Sequence, residues 1–174
     1  MGLRRPSPAV ADAGPLIPLA EVRCLHLITV FDPLYVPEGV WVEVERHAPA
    51  LDPPSVEISF RRHAFPPGEV ESFVAEHGLS GLQRGECEAL CLCRGLGIPL
   101  VLTDDLAVRE AAKALRIVPV GSLGVIARAF DVGLISLAEG EKRVADLYDV
   151  SSLYATRAII DKVLERIRKR RSSE

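Results

Sequence analysis

The order of apolar and polar positions divides the chain into short strands alternating with amphipathic helices. Ala9-Val10-Ala11 is a short apolar run that stops at Asp12 and reads as a buried strand. Gly14-Pro15 then opens a helix to about Cys24, with Pro15 and Pro18 placed in its first turn, where proline is tolerated. Leu34-Tyr35-Val36 reads as a second strand, closed by Pro37. A helix from about Glu38 to His47 follows, with Val40, Val44 and Ala48 on one face. After a loop at Asp52-Pro53-Pro54-Ser55, the positions Val56, Ile58 and Phe60 alternate with Glu57 and Ser59, the pattern of a third strand. Pro66-Pro67 opens a helix to about His77, and Gly85 precedes another that runs to Leu96 and stops at Gly97. The run from Ile98 to Thr103 is apolar enough for a strand buried on both faces, as in a parallel sheet. Asp104-Asp105 start a helix to about Leu115, Ile117 to Val120 forms a further strand, and Gly121 begins a helix ending near Val132-Gly133. Two C-terminal helices close the chain, about Ala138 to Tyr148 and Ser152 to Lys169.

Such alternation predicts an α/β architecture of three layers: a central parallel sheet of about five strands, helices on both faces, and C-terminal helices. No internal repeat or linker divides the chain. It is expected to comprise a loose arm over residues 1–8, one domain over 9–170 and a tail over 171–174. The 174 residues, 48% of them hydrophobic, can bury one core of ordinary size. A formal net charge of −3 argues against a general nucleic-acid coat and leaves room for a local basic track. The opening residues lack the apolar core of a signal peptide, and no apolar run approaches the roughly 18 residues a membrane span needs. A cytoplasmic protein is expected. Cys24, Cys87, Cys91 and Cys93 lack the C-x-x-C spacing and the His partners of a zinc site, so they are expected to be reduced and buried.

In a parallel sheet the strand C-terminal ends and the following helix N-termini share one edge, where ligands bind. Asp12 ends the first strand and Asp104 the most buried one, with Asp105 beside it. Glu86 sits in the first turn of its helix above the stripe of Leu90 and Cys93, and Glu43 lies beside Val40 and Val44. Carboxylates gathered in one pocket repel and hold protons unless a cation joins them. A hard divalent ion suits that need and supports phosphodiester hydrolysis. Taken singly, each residue also has a structural reading. Asp12 and Asp105 suit N-caps, Glu86 suits a helix dipole, and Glu43 suits a solvated surface. Only their convergence on one edge points to metal.

Four ordered stretches resemble the motifs of the PIN-domain family, and in particular its VapC-like toxin branch. Residues 10–17, VADAGPLI, are similar to the family's D-[ST]-[ST]-P-L-I, and residues 36–43, VPEGVWVE, to its I-P-x-x-V-x-x-E. Residues 82–89, LQRGECEA, fit L-x-x-G-E-x-E-A, and residues 100–109, LVLTDDLAVR, resemble L-L-x-D-D-x-x-A-R. The later Gly121-Ser122-Leu123-Gly124-Val125-Ile126 and Gly133-Leu134-Ile135 fit the same branch, so the resemblance spans about Ala9 to Ile135. It implies a PIN-like α/β/α fold and a metal-dependent endoribonuclease using Mg2+ or Mn2+. Asp12, Glu43, Glu86 and Asp104 would be the catalytic, metal-binding acids, and Asp105 an auxiliary metal acid or a cap. It further implies the toxin of a toxin–antitoxin pair, with RNA as substrate, a small antitoxin protein as partner, and a homodimer. The chain departs from the family at Ala13 and Gly14, where hydroxyl residues are usual; Thr103 is the candidate to supply the missing hydroxyl.

Phosphate binding calls for cations near the acids. Arg84 and Arg109 are the RNA-binding candidates on the edge itself, with Arg61 and Arg62 nearby; each also suits an ordinary surface arginine. The basic end, Arg166 to Arg171, suits a helix C-terminus or an RNA contact. Ile160, Val163, Leu164 and Ile167 form an apolar stripe that packs either on the domain or on a partner. The alternative function is a catalytically weak or inactive PIN-fold module that binds RNA or protein. A phosphatase using Asp12 lacks the second acid of D-x-D, because Gly14 stands there, and no G-x-G-x-x-G follows any strand.

Overall fold

The computed structural model describes residues 6–47 and 60–171. Five strands, β1 (Ser7–Ala11), β2 (Phe31–Pro37), β3 (Phe60–His63), β4 (Leu100–Leu102) and β5 (Val118–Val120), form one sheet in the order β3-β2-β1-β4-β5. Every neighbouring pair is parallel. The helices are α1 (Ala13–Glu21), α2 (Glu38–His47), α3 (Glu69–His77), α4 (Arg84–Leu96), α5 (Leu106–Ala114), α6 (Ser122–Asp131), α7 (Leu137–Asp149) and α8 (Arg157–Arg171), and a 3-10 helix spans Leu25–Val30. This is the expected three-layer α/β/α arrangement with a five-stranded parallel sheet.

Alternation along the central strands builds the two cores. Ala9 and Ala11 of β1 and Leu102 of β4 face one layer, with Leu16, Leu27, Ile28, Val125, Ile126 and Leu147. Val10 and Val101 face the other, with Phe73, Leu90, Leu92, Val108 and Ile117. Period-2 strands between two helical layers give this division directly. From β1 the chain passes through β2 to β3 on one side and then returns through β4 to β5 on the other. The crevice beyond the ends of β1 and β4 is therefore a topological switch point.

Several boundaries move. The helix after β1 starts at Ala13 because Asp12 caps it, so Pro18 is the sixth helical residue and not part of the first turn. Proline there costs one helical hydrogen bond, and α1 ends after nine residues at Glu21. Leu25–Val30, unassigned from the pattern, coils as a 3-10 helix and buries Leu27, Ile28 and Val30. The third strand begins at Phe60 and runs on to His63; the expected portion Val56 to Ser59 lies outside the described residues. The last helix starts at Arg157 rather than Ser152. The Ser151 hydroxyl donates to the Leu147 carbonyl and accepts from Leu153 N, holding the intervening segment in a turn. Ile160 and Ile167 are buried and Val163 and Leu164 half-buried against the main core, so the apolar stripe of α8 packs on the domain itself. All four cysteines are free and buried, and burial pushes the thiols of Cys91 and Cys93 up to about 11 and 12, which makes them inert apolar filling.

Candidate functional site

Carboxylates from four elements lie near the switch point. Asp12 leaves β1 with extended backbone, accepts a hydrogen bond from Ala13 N (2.8 Å) and is only 5% exposed. The Thr103 hydroxyl, arriving from the end of β4, donates to its other oxygen at 3.1 Å. That contact supplies, from 91 residues away, a hydroxyl that Ala13 and Gly14 lack. Gly14 has its own reason to be small: a Cβ there would sit 3.2 Å from Asp104 N, on the backbone of the adjacent strand end. Burial raises the Asp12 carboxyl to about 7 against the pull of those two hydrogen bonds, and the negative charges of Glu86 and Glu43 add to the rise.

Glu86 accepts from Gln83 N at 2.7 Å, closing the first turn of α4. Its carboxyl too is held above the usual range, first by burial and then by Asp105 and Glu43. Glu43 reaches the same place from α2; its Oε2 lies 3.8 Å from where a Cβ on Gly85 would be. The two helices can approach because Gly85 faces Val40, and because Gly39 of α2 faces the Glu88 carboxylate, with which any Cβ would collide. Glu88 was not singled out from the sequence. It is buried, accepts from Gly39 N at 3.1 Å and pairs with Arg84 Nε at 2.9 Å, and so fixes the α2–α4 junction that presents Glu43 and Glu86. Its place in the G-E-x-E spacing was visible; its inward direction was not.

Asp104 and Asp105 separate. Asp104 turns toward α6, where one oxygen accepts from Ser122 N (2.8 Å) and the other from the Ser122 hydroxyl (2.5 Å). It caps α6 from a neighbouring strand end, and its Oδ1 crowds Gly121, where a Cβ would stand within 2.5 Å. Burial raises its carboxyl, while the Ser122 donors and Arg109 pull it back. Asp105 is exposed, caps α5 by accepting from Val108 N (3.0 Å), and adds to the charge felt by Glu86. The cap reading of Asp105 thus has a contact behind it.

Arg84 is engaged by Glu88 and, at 3.3 Å, by Glu71. Arg109 donates to the Thr103 carbonyl at 3.3 Å and lines a cleft adjoining Asp104 and Asp105. Arg62 lies 4.1 Å over the Trp41 ring and pairs with Glu45, and Arg61 lies over Tyr35.

A family model described as a PIN domain matches residues 8–169, and this span takes in every strand but the first residue of β1, and every acid above. The chain belongs to the PIN-domain family. No curated protein and no solved structure matches it significantly. PIN domains are generally nucleases that act on RNA or DNA and use divalent metal ions. In this PIN domain the donor set suits such an ion chemically, since its acids are hard oxygen ligands. Among the described residues, however, no group of three or more His, Cys, Asp or Glu side chains is placed to hold a metal ion. An ion held by few carboxylates, with water and substrate phosphate completing its shell, is the magnesium pattern. No helix among the described residues is long and apolar enough to cross a membrane.

Proposed function

We propose that this PIN domain is a metal-dependent endoribonuclease, with Asp12, Glu43, Glu86 and Asp105 facing a Mg2+ or Mn2+ ion and Asp104 serving as a positioning residue. The observation that carries the reading is the mutual electrostatic company of these acids at the switch point: Glu86 and Glu43 act on Asp12, and Asp105 and Glu43 act on Glu86. A bound divalent ion lowers the pKa of water and neutralises charge on the phosphate. Thr103 holds Asp12 in one orientation, the Gln83 amide holds Glu86, and the Glu88 junction holds α2 against α4. Asp104, tied to Ser122, fixes the start of α6 beside them. The motif order favours RNA as substrate and a VapC-like toxin role, with a small antitoxin partner, a homodimer and a cytoplasmic setting as parts of the same proposal.

The test is cleavage of labelled RNA and of matched DNA by the purified protein, with manganese and with EDTA. Metal-dependent internal cuts in RNA support the reading. No cleavage at any metal concentration sinks it and leaves the second reading, a PIN-fold binding module, which is favoured by the lack, among the described residues, of three or more acids, His or Cys placed to hold a metal ion.

A further inference from the structure

Helix α2 carries Glu43 to the acid edge, and the rotation of that helix about its axis decides where Glu43 points. Its inner stripe is fixed by Val40 and Val44, both fully buried, and by the bond from Gly39 N to Glu88. Its outer stripe is held from β3. Arg62 pairs in register with Val36, two residues before α2 begins at Glu38. Phe60 and Arg62, two positions apart on one strand, share a face of the sheet, and both touch Trp41. The Phe60 ring meets the Trp41 ring edge-on with centroids 5.3 Å apart, and the Arg62 guanidinium lies 4.1 Å from the Trp41 centroid. The same guanidinium reaches Glu38 at 3.7 Å and Glu45 at 3.2 Å, and Glu45 also accepts from the Trp41 indole N–H.

Glu38, Trp41 and Glu45 stand at i, i+3 and i+7, one stripe over two turns. Glu43, two residues past Trp41, lies about 200° round the helix from it, on the opposite side. An exposed ion pair by itself would hold little. Arg62 does more, because a planar guanidinium stacks on a ring through its face while its edge donates to carboxylates. We propose that Arg62 is a positioning residue: it clamps the outer stripe of α2 through Trp41 and so sets the aim of Glu43 at the acid edge. The proposal rests on the nuclease reading for what Glu43 does there, whereas the clamp itself stands apart from catalysis. Arg62, a cation near the acids, thereby serves the fold of the site instead of the phosphate backbone.

The first measurement is hydrogen exchange by mass spectrometry on the full chain in EDTA, with α5 as internal control. Arg62→Ala is expected to speed exchange across α2 about fivefold, the loss of a cation–ring contact, and to leave α5 as in the parent. Arg62→Lys, which keeps a cation but not the planar fork, should recover part of the protection. In a Trp41→Ala background the same Arg62→Ala change should have little further effect, as for two residues acting together. Thermal unfolding checks that each variant is folded, and Arg62→Gln, which keeps length and removes charge, is read in the same way. The second measurement is the kinetics of manganese-dependent RNA cleavage. Arg62→Ala should lower kcat about tenfold, as a displaced catalytic group does, with KM and its salt dependence unchanged. Exchange across α2 equal to the parent's overturns the proposal. So does a parent-like kcat, and so does a raised KM with a flattened salt dependence, which would make Arg62 an RNA contact. A parent that never cuts loses the nuclease reading, and the exchange result then decides the clamp alone.

Discussion

The two central strands, β1 and β4, each run into an aspartate at the same sheet edge, and the two aspartates live in opposite electrostatic company. Asp12 has Glu86 and Glu43 as charge neighbours and neutral donors, Ala13 N and Thr103, to orient it. Asp104 has Arg109 and both donors of Ser122, so its needs are met within the protein. Burial lifts both carboxyls. Only Asp12 is left short of positive charge, and a carboxylate with that deficit is the one an incoming cation stabilises most. Sharing a strand-end position is therefore not enough to share a role.

The largest expected contrast is in catalysis. Asp12→Asn keeps the size and the acceptor for Ala13 N while removing the charge, and should take metal-dependent RNA cleavage below detection in a gel assay. Asp104→Asn should retain most of it, because an amide oxygen can still accept from Ser122. Equal loss from both would place Asp104 on the metal as well.

The pH dependence of stability should separate them next. With a folded pKa of about 7 against 3.8 for the ordinary carboxyl, Asp12 keeps its proton in the folded state while the unfolded state gives it up. The contribution of Asp12 to the stability of the metal-free protein is then greatest below about pH 4, falls as pH rises toward 7, and levels off above it. The full effect is up to about 4 kcal/mol for this one group. Asp12→Asn should shrink the fall of stability with pH, leaving the part that comes from Glu86 and Asp104, and unfold at higher urea than the parent at pH 8, in EDTA. A parent-like pH profile in that variant would show that Asp12 is not the titrating group.

Metal should offset the same repulsion. An ion that binds only the folded state stabilises it by about 2.7 kcal/mol at a hundredfold excess over its dissociation constant, on the order of 5 to 10 °C in melting temperature. Manganese or magnesium should raise the melting temperature and sodium at matched ionic strength should not. Glu86→Gln should shrink the rise and Ser122→Ala should leave it unchanged. A parent whose melting temperature ignores millimolar manganese would remove the metal from the account.

The smallest effects are structural. Asp104→Ala strands the Ser122 N–H at the start of α6, and Asp105→Ala uncaps α5, each costing about 1 kcal/mol in chemical denaturation. Asp105→Asn should keep its cap and lose cleavage. If it retains full activity, Asp105 is a cap alone.

The alternation of strand and helix, the parallel sheet and the acid-bearing edge were legible in the sequence, because hydrophobic period and turn residues are local signals. Helix α2 begins and ends where the pattern put it, and Gly97 ends α4 in the left-handed conformation expected of such a stop. Where only neighbouring residues decide an element, as at the Asp105 cap, the reading carried over to the structure. The Thr103 hydroxyl on Asp12, the Ser122 donors on Asp104 and the inward turn of Glu88 onto Gly39 join residues 18 to 91 positions apart. No local periodicity encodes such pairs. The sequence by itself determined that several acids reach one edge. Which of them meet a donor and which lie among like charges was decided only by the packing of α2 against α4 and of α6 beside β4, because charge balance in a buried pocket depends on every group that folding brings within a few ångströms.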